Sequence, residues 1–333
     1  MNSDPRLTLL EAWLDPVVGR ERGAPVPAST DASFRRYFRV STPAGSRIVM
    51  DAPPEHEDCR PFVKVAGLLN AAGLHAPAVL AADFEQGFLL LTDLGHQTYL
   101  DVLTDDNADA LYGDAIMALI RWQAASRPGV LPPYDETLLR RELALFPDWY
   151  VERHLGVALP ASRRQALSSV FDQIVAENLA QPAVYVHRDY MPRNLMVSDP
   201  NPGVLDFQDA VYGPIAYDVA SLCRDAFISF DEERVLDWTI RYWEQARAAG
   251  LPVRTDFADF YRDCEWMGLQ RHLKVLGIFA RLLHRDGKPQ YVADAPRFVN
   301  YIRAVTGRYR ALTALHRLFD ELHETAASAG LTF

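Results

Sequence analysis

The chain has 333 residues, of which 49% are hydrophobic and 23% charged, with a formal net charge of −10. This is ordinary globular usage without the long uncharged run of a membrane-spanning helix, and the acidic balance argues against nucleic acid or an anionic membrane as the main partner. The length exceeds what one core usually fills, so two lobes with room for a small-molecule cleft are expected.

The start, MNSDPRLTLLEAWL, lacks the basic, apolar and small-residue order of a secretory signal, which leads to an expected cytoplasmic location. Leu7 to Val18 has helical spacing and ends near Gly19. From Ser33 the pattern turns β-rich: FRRYFRV and RIVMD flank the turn-like TPAG, which predicts a hairpin preceded by a small polar loop, ASTDAS. FVKVAGLLNAAG reads as an amphipathic helix stopped by Gly73, and PAVLAADF and GFLLLTDLG as two further strands. Beyond Leu94 the character is helical, with periodic stretches at 108–125, 136–154, 163–179, 215–227, 233–249 and 257–283. The expected fold is therefore α+β: an antiparallel-sheet lobe with one main helix at 1–94, and a larger helical lobe at 95–333. Cys59, Cys223 and Cys264 are too scattered for a metal or disulfide framework and read as buried free thiols.

One β-like interruption breaks the helical part, and it holds the chemistry. VYVHRDYMPRNLMV followed by GVLDFQD places His187, Arg188, Asp189 and Asn194 in the pattern H-R-D-x-x-x-x-N, the protein-kinase catalytic loop. At average residue usage the His-Asp-Asn triplet arises by chance in about a few per cent of chains this long, and an Asp-Phe pair twelve positions on lowers that roughly a hundredfold. Phosphoryl transfer needs a carboxylate to accept the proton of the attacking hydroxyl and hard oxygens to hold Mg²⁺. Asp189 fits the first need as the catalytic base; Asn194 and Asp206 fit the second as metal ligands. His187 reads as a structural residue bonding the loop backbone. Asp209 is either an acid supporting the metal ligands or a turn residue.

These residues resemble the aminoglycoside phosphotransferase and choline kinase-like superfamily, whose two-lobed, protein-kinase-like fold the chain is then expected to share. ASTDASFRRYFRV, VMDAPPE, RRELALFPDWY, VLDFQDAVYGPIAYDVASL and LQRHLKVLGIFARL extend the likeness over nearly the whole chain, toward the anomeric amino-sugar kinases of bacterial cell-wall recycling. The resemblance implies ATP and Mg²⁺ as cofactors and phosphorylation of the C1 hydroxyl of N-acetylmuramate or N-acetylglucosamine. It also puts Ser29, Thr30, Ser33 and Arg36 on a loop over the nucleotide phosphates, without the G-x-G-x-x-G spacing, and Thr92, Asp93 and Leu94 on the hinge beside adenine. Where kinase-like proteins carry a phosphate-gripping lysine, Met50 stands, so either Arg36, Arg39 or Lys64 supplies the charge, the favoured reading, or the nucleotide is held with less charge compensation and depends more on Mg²⁺.

A substrate wall is expected from the helical lobe. Trp266, Gln270 and Lys274 recur at four-residue spacing, with Arg271 and His272 beside them; the stripe is either a pocket wall or a solvated face. Glu142 and Trp149 are similar candidates, the Trp stacking on a sugar or sitting in the core. A lactyl carboxylate would find Arg193 or Arg271. Two alternatives stand beside this reading: an aminoglycoside or other polyol as acceptor, which the acidic charge suits, and a nucleotide-binding pseudokinase, which Met50 suggests.

Overall fold

The computed structural model describes residues 4–28 and 34–328. The chain folds as two compact units, one built from the chain up to Trp122 together with Pro192–Asp209, the other from Gln123–Met191 and the chain from Ala210 onward.

In the first unit, α1 (Pro5–Val18) precedes the strands β1 (Val26–Pro27), β2 (Arg36–Thr42) and β3 (Gly45–Asp51), then α2 (Arg60–Ala71), β4 (Val79–Asp83) and β5 (Phe88–Thr92). The sheet runs β1-β2-β3-β5-β4, antiparallel throughout, and the expected hairpin is β2–β3 with Thr42 opposite Gly45. Asp4 starts α1 by accepting the main-chain N–H groups of Arg6 and Leu7. Leu10 and Leu14 of α1 pack on Phe38, Val40, Val49, Phe88 and Leu90, one face of the sheet. Each such leucine contributes about 1.5–3 kcal/mol by leaving water. Because strand side chains alternate, Arg36 and Asp51 share the α1 face, whereas Arg39 and Met50 lie on the other.

The chain continues through α3 (Tyr99–Val102), α4 (Ala108–Ala124) and α5 (Glu136–Leu145). The periodicity predicts one helix over 136–154, but α5 stops at Leu145 and a nine-residue π-helical turn follows over Phe146–His154. Pro147 explains the change: it has no N–H, and its ring crowds the carbonyl one turn back, so the ordinary ladder cannot continue. Next come α6 (Ala161–Leu179), β6 (Ala183–Val186), β7 (Leu195–Met196), β8 (Gly203–Val204), β9 (Val211–Pro214), α7 (Tyr217–Cys223) and α8 (Glu232–Ala248). The chain ends in α9 (Phe257–Asp286), α10 (Ala295–Arg308) and α11 (Thr313–Ser328). The mixed strand-and-helix class is therefore the expected one, with an antiparallel sheet early and a larger helical part after it.

The 30-residue α9 is the axis of the second unit, buried along most of its length. It approaches the end of α5 so closely that a Cβ on Gly277 would stand 2.4 Å from the main-chain carbonyl of Leu145. That approach carries Gln270 and Lys274 to α5. Of the two readings left open for the stripe on this helix, the solvated face does not hold: Trp266, Gln270, Arg271, His272 and Lys274 are all buried.

Candidate active site

The turn that begins at His187 belongs to the second unit. It follows β6, which pairs with β9. Arg188 has a φ of 78°, and Arg188 and Asp206 are the two non-glycine residues with positive φ among those described. Such a conformation persists where its surroundings over-determine it. Here Asp218, in the first turn of α7 and fully buried, accepts the main-chain N–H groups of His187 at 2.7 Å and Arg188 at 2.9 Å. Burial raises the Asp218 pKa to about 7, with the charge of Asp189 adding to the rise and the two N–H bonds opposing it. His187 Nδ1 accepts the main-chain N–H of Asp189 at 3.3 Å.

Burial also opposes ionisation of Asp189, but Lys274, then Arg271, Arg188 and His187, outweigh it and hold the carboxyl below its usual range. Arg188 and Lys274 are themselves fixed. Glu142, 4% exposed, receives Arg188 Nη2 at 2.5 Å, stands 3.4 Å from Lys274 Nζ and accepts the hydroxyl of Tyr134. Lys274 Nζ donates to the Tyr217 hydroxyl at 3.0 Å. The result is an ionised carboxylate set among buried, braced positive charge, an arrangement suited to orienting a hydroxyl and taking its proton.

Asn194 and Asp206 belong to the first unit, where β7 and β8 form a short hairpin with Leu195 opposite Val204. Leu205 N–H donates to the Asn194 carbonyl at 2.9 Å, which brings the two ends together. Asn194 Nδ2 lies 3.5 Å from Asp206 Oδ2, and the Asp206 side chain is 46% exposed. Gln208 Nε2 donates to Asp206 Oδ1 at 3.0 Å and also lies 3.5 Å from Asp209 Oδ2, so Asp209 stands in the turn behind the pair. Among the described residues no cluster of His, Cys, Asp or Glu is placed to hold a metal unaided. One carboxylate beside one amide still fits Mg²⁺, which takes few protein ligands and completes its shell with water and phosphate oxygens.

Of the residues expected near a nucleotide, Ser29, Thr30 and Ser33 lie outside the described residues. Arg36 turns under α1, where it pairs with Asp4 and with fully buried Asp51, which Arg6 also holds. Thr92 Oγ1 accepts the Ala78 N–H at 2.9 Å, and Leu94 is buried. Asp93 takes Arg39 Nε at 2.6 Å; against the cost of burial, Arg39, the Ser46 hydroxyl and the Gly95 N–H lower its pKa to about 2. Arg35, which the sequence does not single out, reaches to 3.8 Å from Asp206 Oδ1.

The residues expected around a substrate divide by burial. Gln270 Nε2 donates to the Leu139 carbonyl at 3.0 Å, while its Oε1 has no hydrogen-bond partner among the described residues. Arg271, 2% exposed, sets Nη2 at 3.6 Å from Met191 Sδ and leaves Nη1 without a hydrogen-bond partner among the described residues. Trp149 is half-buried on the π-helical turn, with the Arg153 guanidinium 4.3 Å from its ring centre. Arg193 is half-buried in the first unit. Asp218 is not singled out by the sequence, where an acid inside an apolar helical run is the available signal; Lys274, read there as a possible wall of the substrate pocket, lies against Glu142 and Tyr217. A cavity of about 240 Å³ is lined in part by Arg224, His272 and Tyr301, and neither Asp218 nor Arg271 is among its lining residues.

A kinase-type loop, an ionised carboxylate and a paired amide and carboxylate on an α+β fold define a phosphotransferase. Residues 26–252 match the phosphotransferase enzyme family, and the chain belongs to it. It is 54% identical to the N-acetylmuramate/N-acetylglucosamine kinase of Pseudomonas aeruginosa, over 98% of this chain and 99% of that one. It is 52% identical to the protein of the same name from Pseudomonas putida, over 97% and 98%. In fold it is similar to a choline/ethanolamine kinase family protein from Mesorhizobium loti, with a TM-score of 0.62 at 16% identity over 94% of this chain and 99% of that one.

Proposed function

We propose that the protein is an ATP- and Mg²⁺-dependent sugar kinase that phosphorylates the anomeric C1 hydroxyl of N-acetylmuramate, N-acetylglucosamine or both, in peptidoglycan recycling in the cytoplasm. The observation that carries the catalytic part is Asp189, ionised among Lys274, Arg271 and Arg188. The sugar rests on the likeness to relatives of that name, which extends over nearly the full length of both chains, and the pathway on the family resemblance read from the sequence.

On this reading residues 1–94 bind the nucleotide, with Thr92, Asp93 and Leu94 beside the base, and 95–333 supply catalysis and the substrate wall. The Asp189 carboxylate orients the sugar hydroxyl and takes its proton as the new oxygen–phosphorus bond forms and the bond to the departing ADP breaks. A magnesium ion held by Asn194 and Asp206 would offset charge on the phosphate oxygens. Arg271 is the stronger partner for a lactyl carboxylate, because a buried guanidinium N–H without an acceptor costs free energy that a substrate anion offsets. Glu142 acts on the substrate through the cations it braces, and Gln270 through its open Oε1. Purified protein, ATP, Mg²⁺ and N-acetylmuramate should give a sugar phosphate whose phosphorus NMR coupling places it on C1. A phosphate on another hydroxyl would reject the anomeric assignment and leave the kinase standing.

A further inference from the structure

The sequence leaves open which cation replaces the strand lysine, and the first unit narrows the choice. Met50, at the lysine's place, is 1% exposed and points to the face opposite α1. Arg36 is on the α1 face, held by Asp51 and Asp4. Arg39 shares the face of Met50 but is bound to Asp93 and to the Gly95 carbonyl. Lys64 is exposed on α2. Arg35, one residue ahead of β2, is turned the other way from Arg36: its side chain is 13% exposed and its Nη2 stands 3.8 Å from Asp206 Oδ1. Its main chain is anchored on both sides, by β2 and by Phe34, whose ring stacks on His56 at 4.5 Å.

We propose that Arg35 grips the nucleotide phosphates in place of the missing strand lysine, from the segment leading into β2 and beside the metal-binding carboxylate of Asp206. This rests on the ATP–Mg²⁺ reading above and names the residue that completes its charge. A phosphate held through a cation at Asp206 would stand beside that carboxylate and so near the Arg35 guanidinium, which is 3.8 Å from it. Arginine suits the place better than lysine, since its planar fork gives two parallel N–H donors to a phosphate. Because the grip is from a loop, the buried β3 position needs no charge, and Met50 stays apolar.

Calorimetric titration with Mg²⁺ and the non-hydrolysable ATP analogue AMP-PNP, alongside adenosine, tests this. A charged hydrogen bond contributes about 1.5–3 kcal/mol, so Arg35→Ala should weaken Mg·AMP-PNP binding about 10- to 150-fold and leave adenosine binding unchanged. Arg35→Lys should recover part of the loss, and it replaces the alanine variant should that one fail to fold. Arg20→Ala, which removes one exposed charge at the end of α1, is the control for net charge and should bind as the native chain does. Native affinity in Arg35→Ala would overturn the assignment to Arg35 alone. A native chain that binds no Mg·AMP-PNP would instead bring down the ATP reading on which it stands.

Discussion

The turn at His187–Met191 and the hairpin that joins Asn194 to Asp206 each hold one residue with positive φ, and they are secured in opposite ways. Arg188 is fixed by a buried acid beneath its backbone and by Glu142 on its guanidinium. Asp206 has a half-exposed carboxylate, a 3.5 Å contact to Asn194 and a 3.0 Å bond from Gln208. Asp189 is thus set among protein charges that do not depend on a ligand, while the Asp206 carboxylate is half-exposed to solvent. On the proposed reading, pre-organisation is concentrated where charge is steered, and solvent exposure where a metal and phosphate would come and go.

The largest expected effect breaks both halves at once and separates them by stability. Asp189→Asn and Asp206→Asn should each lower turnover about 10²–10⁴-fold. Asp206→Asn should melt within about 0.5 kcal/mol of the native chain, as exposed substitutions usually do. Asp189→Asn should melt measurably lower, because Lys274 and Arg271 lose an anion. Equal melting temperatures for the two variants would erase the contrast. Next in size is Glu142→Ala, which leaves Arg188 and Lys274 buried without their carboxylate and should cost about 3–5 kcal/mol in denaturant unfolding. A loss under about 1 kcal/mol would mean that the brace is not a stabilising element.

Gly277→Ala is smaller and tests how α9 is seated. A methyl group there meets the Leu145 main chain, which cannot swing aside, so α9 must shift at a cost of about 1–3 kcal/mol. The shift would move Lys274 relative to Glu142, so turnover should fall along with the melting temperature. Full activity at a lowered melting temperature would show that the position of α9 does not control the base.

Much of this was legible in the sequence because it is local. The spacing of His187, Asp189, Asn194 and Asp206 is a property of one short stretch, and the hairpins and helices show as periods of two and 3.6. Partnerships set by tertiary packing leave no such trace. Nothing near Glu142 announces Lys274, and nothing near Arg188 announces Asp218. Arg35 and Arg36 are neighbours in sequence, and only the phase of β2 sends one toward α1 and the other toward Asp206. The polar stripe of α9 read equally as surface or pocket, since a helix buried on all sides with its charges paired internally looks amphipathic.

The smallest expected effect is a pH dependence that belongs to the braced turn. The Asp218 pKa is raised from 3.8 to about 7 in the folded chain, chiefly by burial. Between those values the folded chain keeps a proton that the unfolded chain releases, so the contribution is complete below about pH 4 and is lost as pH rises through 7. Asp189, whose carboxyl is lowered, contributes in the opposite sense: its stabilisation is present above the ordinary carboxylate value and fades as pH falls beneath it. From pH 5 to 8 the Asp218 contribution declines, while His272 and His154, whose pKa values burial lowers, contribute in the opposite sense, so the Asp218 share is the part of the melting-temperature slope that its substitution removes. Asp218→Asn cannot titrate, and its amide presents one acceptor where the carboxylate gives two, so it should melt lower at every pH with a flatter profile. A native slope that survives in Asp218→Asn would assign the titration to another group and detach the turn's electrostatics from α7.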